Sequence, residues 1–303
     1  MSDRNKDGIK QTERTRAAEA AVAVATAHGL QVDEPVVIRD GSNVLIRLDP
    51  YPVLARVAVM IGELRPDGGL AWLEREVALA QHLTKVHAPA VPVSPLLPPG
   101  PHIHDSLGVT FMTWLDHHPE QPLSGAALGN SLRHLHEGLR SYPGQLPKLI
   151  MLFEVQGWLD TLKAEQILPV DDRQMLEVAY ARARDTALAL DLPYQALHGD
   201  AHRDNILHTP KGPIWTDFED VCRGPVHWDL AGLVASSRML GSDVERMNEA
   251  LSAYGIDPHD PVLDAWIEAR AVAIATWSVL MVGKHPEKWP RAKARLDWVR
   301  TRT

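Results

Sequence analysis

Residues 197–207 read Leu-His-Gly-Asp-Ala-His-Arg-Asp-Asn-Ile-Leu. Between apolar ends stand two histidines, two aspartates, an arginine and an asparagine. Polar side chains at this density do not make a core; they belong on a loop that carries chemistry. Asp200 and Asn205 are too far apart for one helical face, and Asp204-Asn205 is turn-forming. Further on, Asp217 ends the short apolar run of Ile214-Trp215-Thr216-Asp217-Phe218-Glu219-Asp220. A carboxylate base with an amide and a second carboxylate as oxygen ligands suits Mg²⁺ and a phosphoryl group, because Mg²⁺ takes few protein oxygens and leaves others to phosphate. Phosphoryl transfer asks a protein mainly for positioning and charge neutralisation.

Outward from this loop the chain divides in two. Residues 13–29 are alanine-rich and stop at Gly29, which predicts a helix with a glycine end. Three β-rich runs follow at 36–39, 44–48 and 53–59. Asp40-Gly41-Ser42-Asn43 and Asp49-Pro50-Tyr51-Pro52 separate them, which predicts hairpins. A helical pattern covers about 70–86; prolines break the chain from Pro92 to Pro101; and 108–115 reads as another strand. From about Leu123 apolar residues recur at helical spacing almost to the end, with strand-like pieces at 206–208 and 213–216 and breaks near 255–261 and 283–286. The expectation is an α+β chain. Residues 1–115 form a small antiparallel lobe with one main helix, and 116–303 a larger, mostly helical lobe that carries the opening motif. Trp158, Trp277, Trp289 and Trp298 are read as core.

Composition narrows the function. A chain of 303 residues with 45% hydrophobic content can bury a sizeable core. The net charge of −8 argues against a nucleic-acid partner, which would need a basic stripe. Cys222 is the single cysteine, so no internal disulfide forms. With a polar start and no apolar run read as long enough for a bilayer, the expected location is the cytoplasm and no membrane partner is expected. The sequence is silent on oligomeric state.

His198-Gly199-Asp200-Ala201-His202-Arg203-Asp204-Asn205 resembles the catalytic loop of the aminoglycoside phosphotransferases, whose wider family includes choline and homoserine kinases of protein-kinase-like fold. Asp217-Phe218-Glu219 resembles their second metal motif, and Asp229-Leu230-Ala231 their following D-L-A. The resemblance runs from about Val36 to Ala231. It implies a protein-kinase-like, two-lobed fold with ATP or GTP as donor and Mg²⁺ as cofactor. In it Asp200 is the base, Asn205 and Asp217 hold metal, and His198 and Asp229 brace the loops. Ser42 stands in the phosphate-covering turn, which is poor in glycine. Arg56 occupies the strand position where lysine is expected, with Glu76 as its helix partner and Glu74 as rival; arginine there is not a neutral exchange. Met112 would line the adenine pocket, and the Thr113 carbonyl and Leu115 N–H would bind the adenine edge.

The acceptor is a small hydroxylated substrate of unspecified class. A polycation would need carboxylates around it; Asp160, Glu154, Glu219, Asp220, Asp264 and Glu268 are the candidates. The mostly apolar stretch 150–165 suits a less charged alcohol equally. Two other readings stay open. Arg56 and the sparse glycine loop allow a nucleotide-binding pseudokinase scaffold. The string Gly199-Asp200-Ala201-His202 allows a metal-dependent phosphoesterase, although zinc would want a more compact ligand set.

Overall fold

The computed structural model describes residues 3–41, 43–59, 69–118 and 123–303, without the side chains of 3–10. The chain forms two compact units. One is Met1–His118 together with Thr209–Glu219; the other is Pro119–His208 together with Asp220–Thr303. Asp217 and Glu219, which the sequence reading put with the second part, thus pack with the first.

The first unit opens with helix α1 (Asp3–Ala27). Ala17, Ala20, Ala21, Val24 and Ala25 are buried at helical spacing. The helix ends in a Schellman arrangement: Gly29 adopts φ 87°, its N–H reaches the Thr26 carbonyl, and Leu30 N–H reaches that of Ala25. Next come β1 (Glu34–Arg39), β2 (Asn43–Asp49) and β3 (Val53–Ala58), then helix α2 (Leu70–Lys85), β4 (His102–His104) and β5 (Leu107–Thr113). The antiparallel sheet has the order β1-β2-β3-β5-β4. The short strand β4 was not anticipated, because proline breaks dominate that stretch.

Pleat parity decides what each face holds. Val44, Ile46 and Leu48 of β2, Val53, Ala55 and Val57 of β3, and Val109 and Phe111 of β5 share one hydrophobic cluster with α1. Leu54, Arg56 and Ala58 therefore point to the other face. There α2 packs: a Cβ on Gly108, which pairs with Ala58, would stand 2.3 Å from Leu73 Cδ1. Arg56 is placed opposite α2 by counting residues along its strand.

The second unit contains α3 (Gly125–Arg140), α4 (Ile150–Ala164), α5 (Val170–Leu188), β6 (Gln195–Leu197), β9 (Cys222–Gly224), α6 (His227–Leu240), α7 (Val244–Tyr254), α8 (Pro261–Val282) and α9 (Trp289–Arg300). The strands β7 (Ile206–Thr209) and β8 (Gly212–Trp215) lie where the chain passes to the first unit. Ser124 caps α3 by accepting from Ala127 N–H, and Asp260 caps α8 ahead of Pro261.

Helix α8 is the centre of this unit and packs against α4, α5, α6 and α9. Contrary to the sequence reading, it is long and apolar enough to cross a membrane by length and composition, with 22 residues and mean hydropathy 1.4. It is mostly buried inside the unit, so it serves as a core helix. The fully buried tryptophans are Trp215, Trp228 and Trp266. Of those expected in the core, Trp158 is half-buried, and Trp277 and Trp289 are exposed.

Helices α3 and α7 approach so closely at Gly129 that a Cβ there would stand 1.9 Å from the Ala250 carbonyl oxygen. Alanine is the better helix former by about 1 kcal/mol, but here its methyl must displace backbone. Gly129→Ala is expected to lower stability by about 1–3 kcal/mol. Gly157 lies mid-helix in α4 with nothing within 4 Å of an added Cβ. Gly157→Ala should raise stability by about 1 kcal/mol. Urea unfolding of both variants checks the opposite signs.

Candidate active site

In the first unit, Arg56 is buried on β3 with Glu76 buried on α2, and the two form an ion pair. Glu74, the rival, is exposed. The same guanidinium donates from Nη2 to Glu219 Oε2 at 2.6 Å and to Asp217 Oδ1 at 3.4 Å. Asn43 joins from β2: Asn43 Nδ2 donates to Glu219 Oε2 at 3.2 Å. Asn43 pairs with Ala58 and Leu45 with Arg56, so Asn43 shares the Arg56 face of the sheet. Asp217 is held at φ 66°, a left-handed conformation that aspartate tolerates better than most residues.

Three carboxylates thus surround one guanidinium. Burial pushes the Glu76 carboxyl up to about 7; Arg56 acts against this, while Asp217 and Glu219 add to it. Arg56 is buried too, but these carboxylates keep it charged. Asp217 and Glu219 remain about one-third exposed. A site with this surplus of negative charge and hard oxygen donors fits a divalent cation such as Mg²⁺. Among the described residues no group of three or more His, Cys, Asp and Glu side chains forms a metal cluster. Mg²⁺ bound through few protein oxygens plus phosphate needs none.

In the second unit the opening motif forms the loop between β6 and the single 3₁₀ turn Arg203–Asn205. Gly199 has φ 88°, and a Cβ there would stand 1.8 Å from the Asp220 carbonyl oxygen. Only glycine fits. Its peptide groups are gripped on both sides. Asp229, fully buried in the first turn of α6, accepts from His198 N–H at 2.8 Å and Gly199 N–H at 2.9 Å. The Gly199 carbonyl accepts from Trp228 Nε1 at 2.9 Å and from Arg270 Nη1 at 3.0 Å. His136 of α3 meets Asp229 Oδ2 through Nε2 at 3.0 Å and the Tyr254 hydroxyl through Nδ1 at 2.8 Å. A ring nitrogen facing a carboxylate carries the proton, so Nε2–H donates.

Asp200 projects from this braced loop with both carboxylate oxygens engaged. Oδ1 takes the Arg270 guanidinium, and Oδ2 meets His202 Nε2 at 3.1 Å. His202 Nδ1 accepts from Asp204 N–H, which leaves the proton on Nε2 to donate to Asp200. Burial alone would push Asp200 up. The His202 bond and the Arg270 charge outweigh it and hold the carboxyl below the usual range. Asn205 is buried, and its Nδ2 donates to the Asp200 carbonyl at 3.0 Å. The amide nitrogen is thereby committed to the loop backbone.

Two partners here were invisible in the sequence. Arg270 sits in the middle of apolar α8, and His136 in α3, far from the motif in the chain. Arg270 also contacts Met151 Sδ at 2.8 Å and lies 4.7 Å from the Trp228 ring centre. The one available signal was a lone arginine inside an otherwise apolar helix, a position that demands a partner.

Other expected residues are distributed differently. Ser42 lies outside the described residues. Met112 is buried; Thr113 N–H donates to the Pro92 carbonyl at 2.8 Å, and the Leu115 carbonyl meets His117 Nδ1 at 3.0 Å. Asp160 accepts from Gln156 on an exposed face of α4. Glu268 pairs with Arg182 and Arg302. Asp264 is exposed at the start of α8. Glu219 is bound to Arg56 and Asn43. Residues four apart on a helix share its outer face, and that face is solvated here.

Burial acts to raise the Asp229 carboxyl, but the bonds and charges of His136 and His198 hold it below the usual range. A carboxylate lowered by folding contributes stability above its unfolded pKa of about 3.9 and loses it as pH falls through the folded value. Wild-type stability should therefore decline below about pH 4. Asp229→Asn sets an amide where two N–H donors converge. It should cost about 3–5 kcal/mol at neutral pH and remove that acid component. Chemical unfolding between pH 3 and pH 7 reads both effects.

The family model of the phosphotransferase enzyme family matches residues 56–270. A search of curated proteins found no match. Solved structures are similar over nearly the whole chain. A choline/ethanolamine kinase family protein from Mesorhizobium loti is 18% identical with a TM-score of 0.64, covering 95% of this chain and 99% of its own. The GDP and kanamycin complex of APH(2")-IIia is 12% identical with a TM-score of 0.68, covering 93% and 98%. An amicoumacin kinase in complex with AMP-PNP and Ca²⁺ is 12% identical with a TM-score of 0.66, covering 96% of each. The antiparallel lobe and helical lobe are the protein-kinase-like fold of these structures. Because the family model spans more than half of the chain and contains Arg56, Asp200, Asn205, Asp217 and Asp229, this chain belongs to the phosphotransferase enzyme family.

Proposed function

We propose that the protein transfers the γ-phosphoryl group of ATP or GTP to the hydroxyl of a small molecule. The observation that carries this reading is the braced loop. Asp229, Trp228 and Arg270 fix the Gly199 peptide groups, and the loop presents one carboxylate, Asp200, with its rotation locked by Arg270 and His202. A scaffold would have no use for a carboxylate held this firmly.

In this reading Asp200 orients the acceptor hydroxyl and takes its proton. The acceptor oxygen forms a bond to Pγ while the bond from Pγ to the β,γ-bridging oxygen breaks, and the nucleoside diphosphate leaves with that oxygen. The lowered Asp200 carboxyl suits the loose transition state of phosphoryl transfer, in which the base orients the hydroxyl first and takes its proton late. Arg56, kept charged by Glu76, Asp217 and Glu219, steadies the α- and β-phosphates. Ser42 would lend its backbone to the phosphates. Met112, Thr113 and Leu115 would form the adenine edge. Asn205 and Asp217 are the residues that would hold Mg²⁺, whose charge offsets that of the β- and γ-phosphates.

Two substitutions test the division of labour. Asp200→Asn should leave nucleotide affinity within about threefold of wild type and lower turnover by roughly 10³-fold or more. The assay is Mg²⁺-dependent release of ADP or GDP against a panel of hydroxylated acceptors. Turnover within tenfold of wild type would remove Asp200 from the base position. Nucleotide binding with no acceptor-stimulated release from the wild type would favour the scaffold reading.

Arg56→Ala should raise the nucleotide Kd by roughly tenfold to a hundredfold, with Arg56→Lys between the two. Lysine keeps the charge but loses the fork that reaches several carboxylates together. Isothermal titration with ADP and GDP measures the order of the three proteins. A lysine variant that binds as wild type does would mean that charge alone suffices.

A further inference from the structure

Asp200 is held by Arg270, and a line of apolar side chains continues from Arg270 along α8. On α8, Arg270, Ile274, Trp277 and Met281 recur at spacings of four, three and four, which puts them in one line along the helix. Arg270 is buried, while Ile274 and Met281 are half-buried and Trp277 is 41% exposed. Most of the rest of this helix is buried. On α4, Met151 and Trp158 lie seven residues apart on one face. The two helices run side by side in the same direction. Met151 Sδ meets Arg270, and the Trp158 and Trp277 rings meet with centroids 5.1 Å apart. Seven residues rise about 10 Å along a helix. A wall of methionine, isoleucine and two tryptophans thus extends about 10–16 Å from the guanidinium that holds Asp200.

Charge decides what such a wall can take. A carboxylate alone would attract a cation, but Arg270 offsets the Asp200 charge at contact distance. The acids that a polycation would need are turned elsewhere: Asp160 to Gln156, and Glu268 to Arg182 and Arg302. Glu154, half-buried on the track side of α4, is itself partnered. An apolar or sugar face laid on a tryptophan pair is favoured whether or not it carries charge. Polycation binding without a lining of free carboxylates is not.

We infer that the acceptor is an uncharged hydroxyl compound with an apolar or aromatic face, laid along Trp158, Ile274, Trp277 and Met281 with its hydroxyl at Asp200, and that it is not a polycation. The inference rests on the phosphotransferase reading of Asp200 and adds the substrate class to it.

The test uses the full chain with Mg²⁺-ATP and Mg²⁺-GTP. The probes are 4-nitrophenyl β-glucoside and octyl β-glucoside as uncharged amphiphiles, and kanamycin and choline as cations. Binding is followed by saturation-transfer NMR and turnover by release of ADP or GDP. The glucosides should bind, stimulate release and quench tryptophan fluorescence, and kanamycin should do none of these. Trp277→Ala should raise the glucoside KM by roughly tenfold with kcat changed less than about threefold, and Trp277→Phe should recover most of the loss. The side chain is 41% exposed, so the variant is expected to fold. Kanamycin turnover with a KM lower than that of the glucosides would overturn the inference. So would absence of glucoside binding at millimolar concentration, or a glucoside KM indifferent to Trp277→Ala. Asp200→Asn separates the two levels. If release survives in that variant, the reading of Asp200 fails. If release is lost there but indifferent to Trp277→Ala, only the acceptor class fails.

Discussion

The arrangement of the helical unit depends on one buried carboxylate. Asp229 has no access to water and takes two consecutive backbone N–H groups together with the His136 ring. Two N–H groups can converge on one carboxylate only if the chain turns sharply, and glycine at position 199 permits that turn. The opposite face of the same residue, its carbonyl, is fixed by Trp228 and Arg270. A loop secured on both its donor and acceptor sides loses the freedom that loops normally keep, and Asp200 inherits that rigidity. The cost of burying the charge is offset by the three donors, two from adjacent residues of the loop and one from α3.

Arg56 poses the parallel problem in the sheet-bearing unit. A guanidinium on a central strand, facing a helix, is tolerable only with acids close by. Glu76 comes from the helix opposite, and Asp217 and Glu219 from the segment that returns to this unit after the catalytic loop. Lysine would place a single compact charge. The planar fork of arginine reaches three carboxylates and Asn43 completes the set through Glu219. The substitution that looked like a defect in the sequence is, in the fold, the hub of an acid cluster. The surplus negative charge of that cluster is what a metal-bound nucleotide would meet.

Arg270 links stability with chemistry. It interrupts the most apolar helix of the protein, where an unpaired cation would be intolerable, and it satisfies itself on the Gly199 carbonyl and the Asp200 carboxylate. The same contact that stabilises the helix orients the proposed base and offsets its charge. Helix α8 is therefore both the core of its unit and one wall beside the loop that carries Asp200.

Local pattern carried much of this. Glycine stops, turn residues between apolar runs and alternation along β3 were legible because they depend on neighbours a few residues away. Most strand and helix boundaries followed within a few residues, although α1 begins at Asp3, ten residues before the start read from the sequence. The spacing of Asp200, Asn205, Asp217 and Asp229 was legible too, since one loop and the segments after it hold them in chain order. His136, Arg270 and the apolar track were not. Their partners lie 59 to 119 residues away in the chain, and helical periodicity says only that a residue faces inward, not whom it meets. The surroundings of the acids at 160, 264 and 268 were equally hidden: the sequence determined that Asp264 and Glu268 share a helix face, but only packing decided that Asp160 and Asp264 are exposed and that Glu268 pairs with Arg182 and Arg302, because burial is a property of the whole fold and not of the residue.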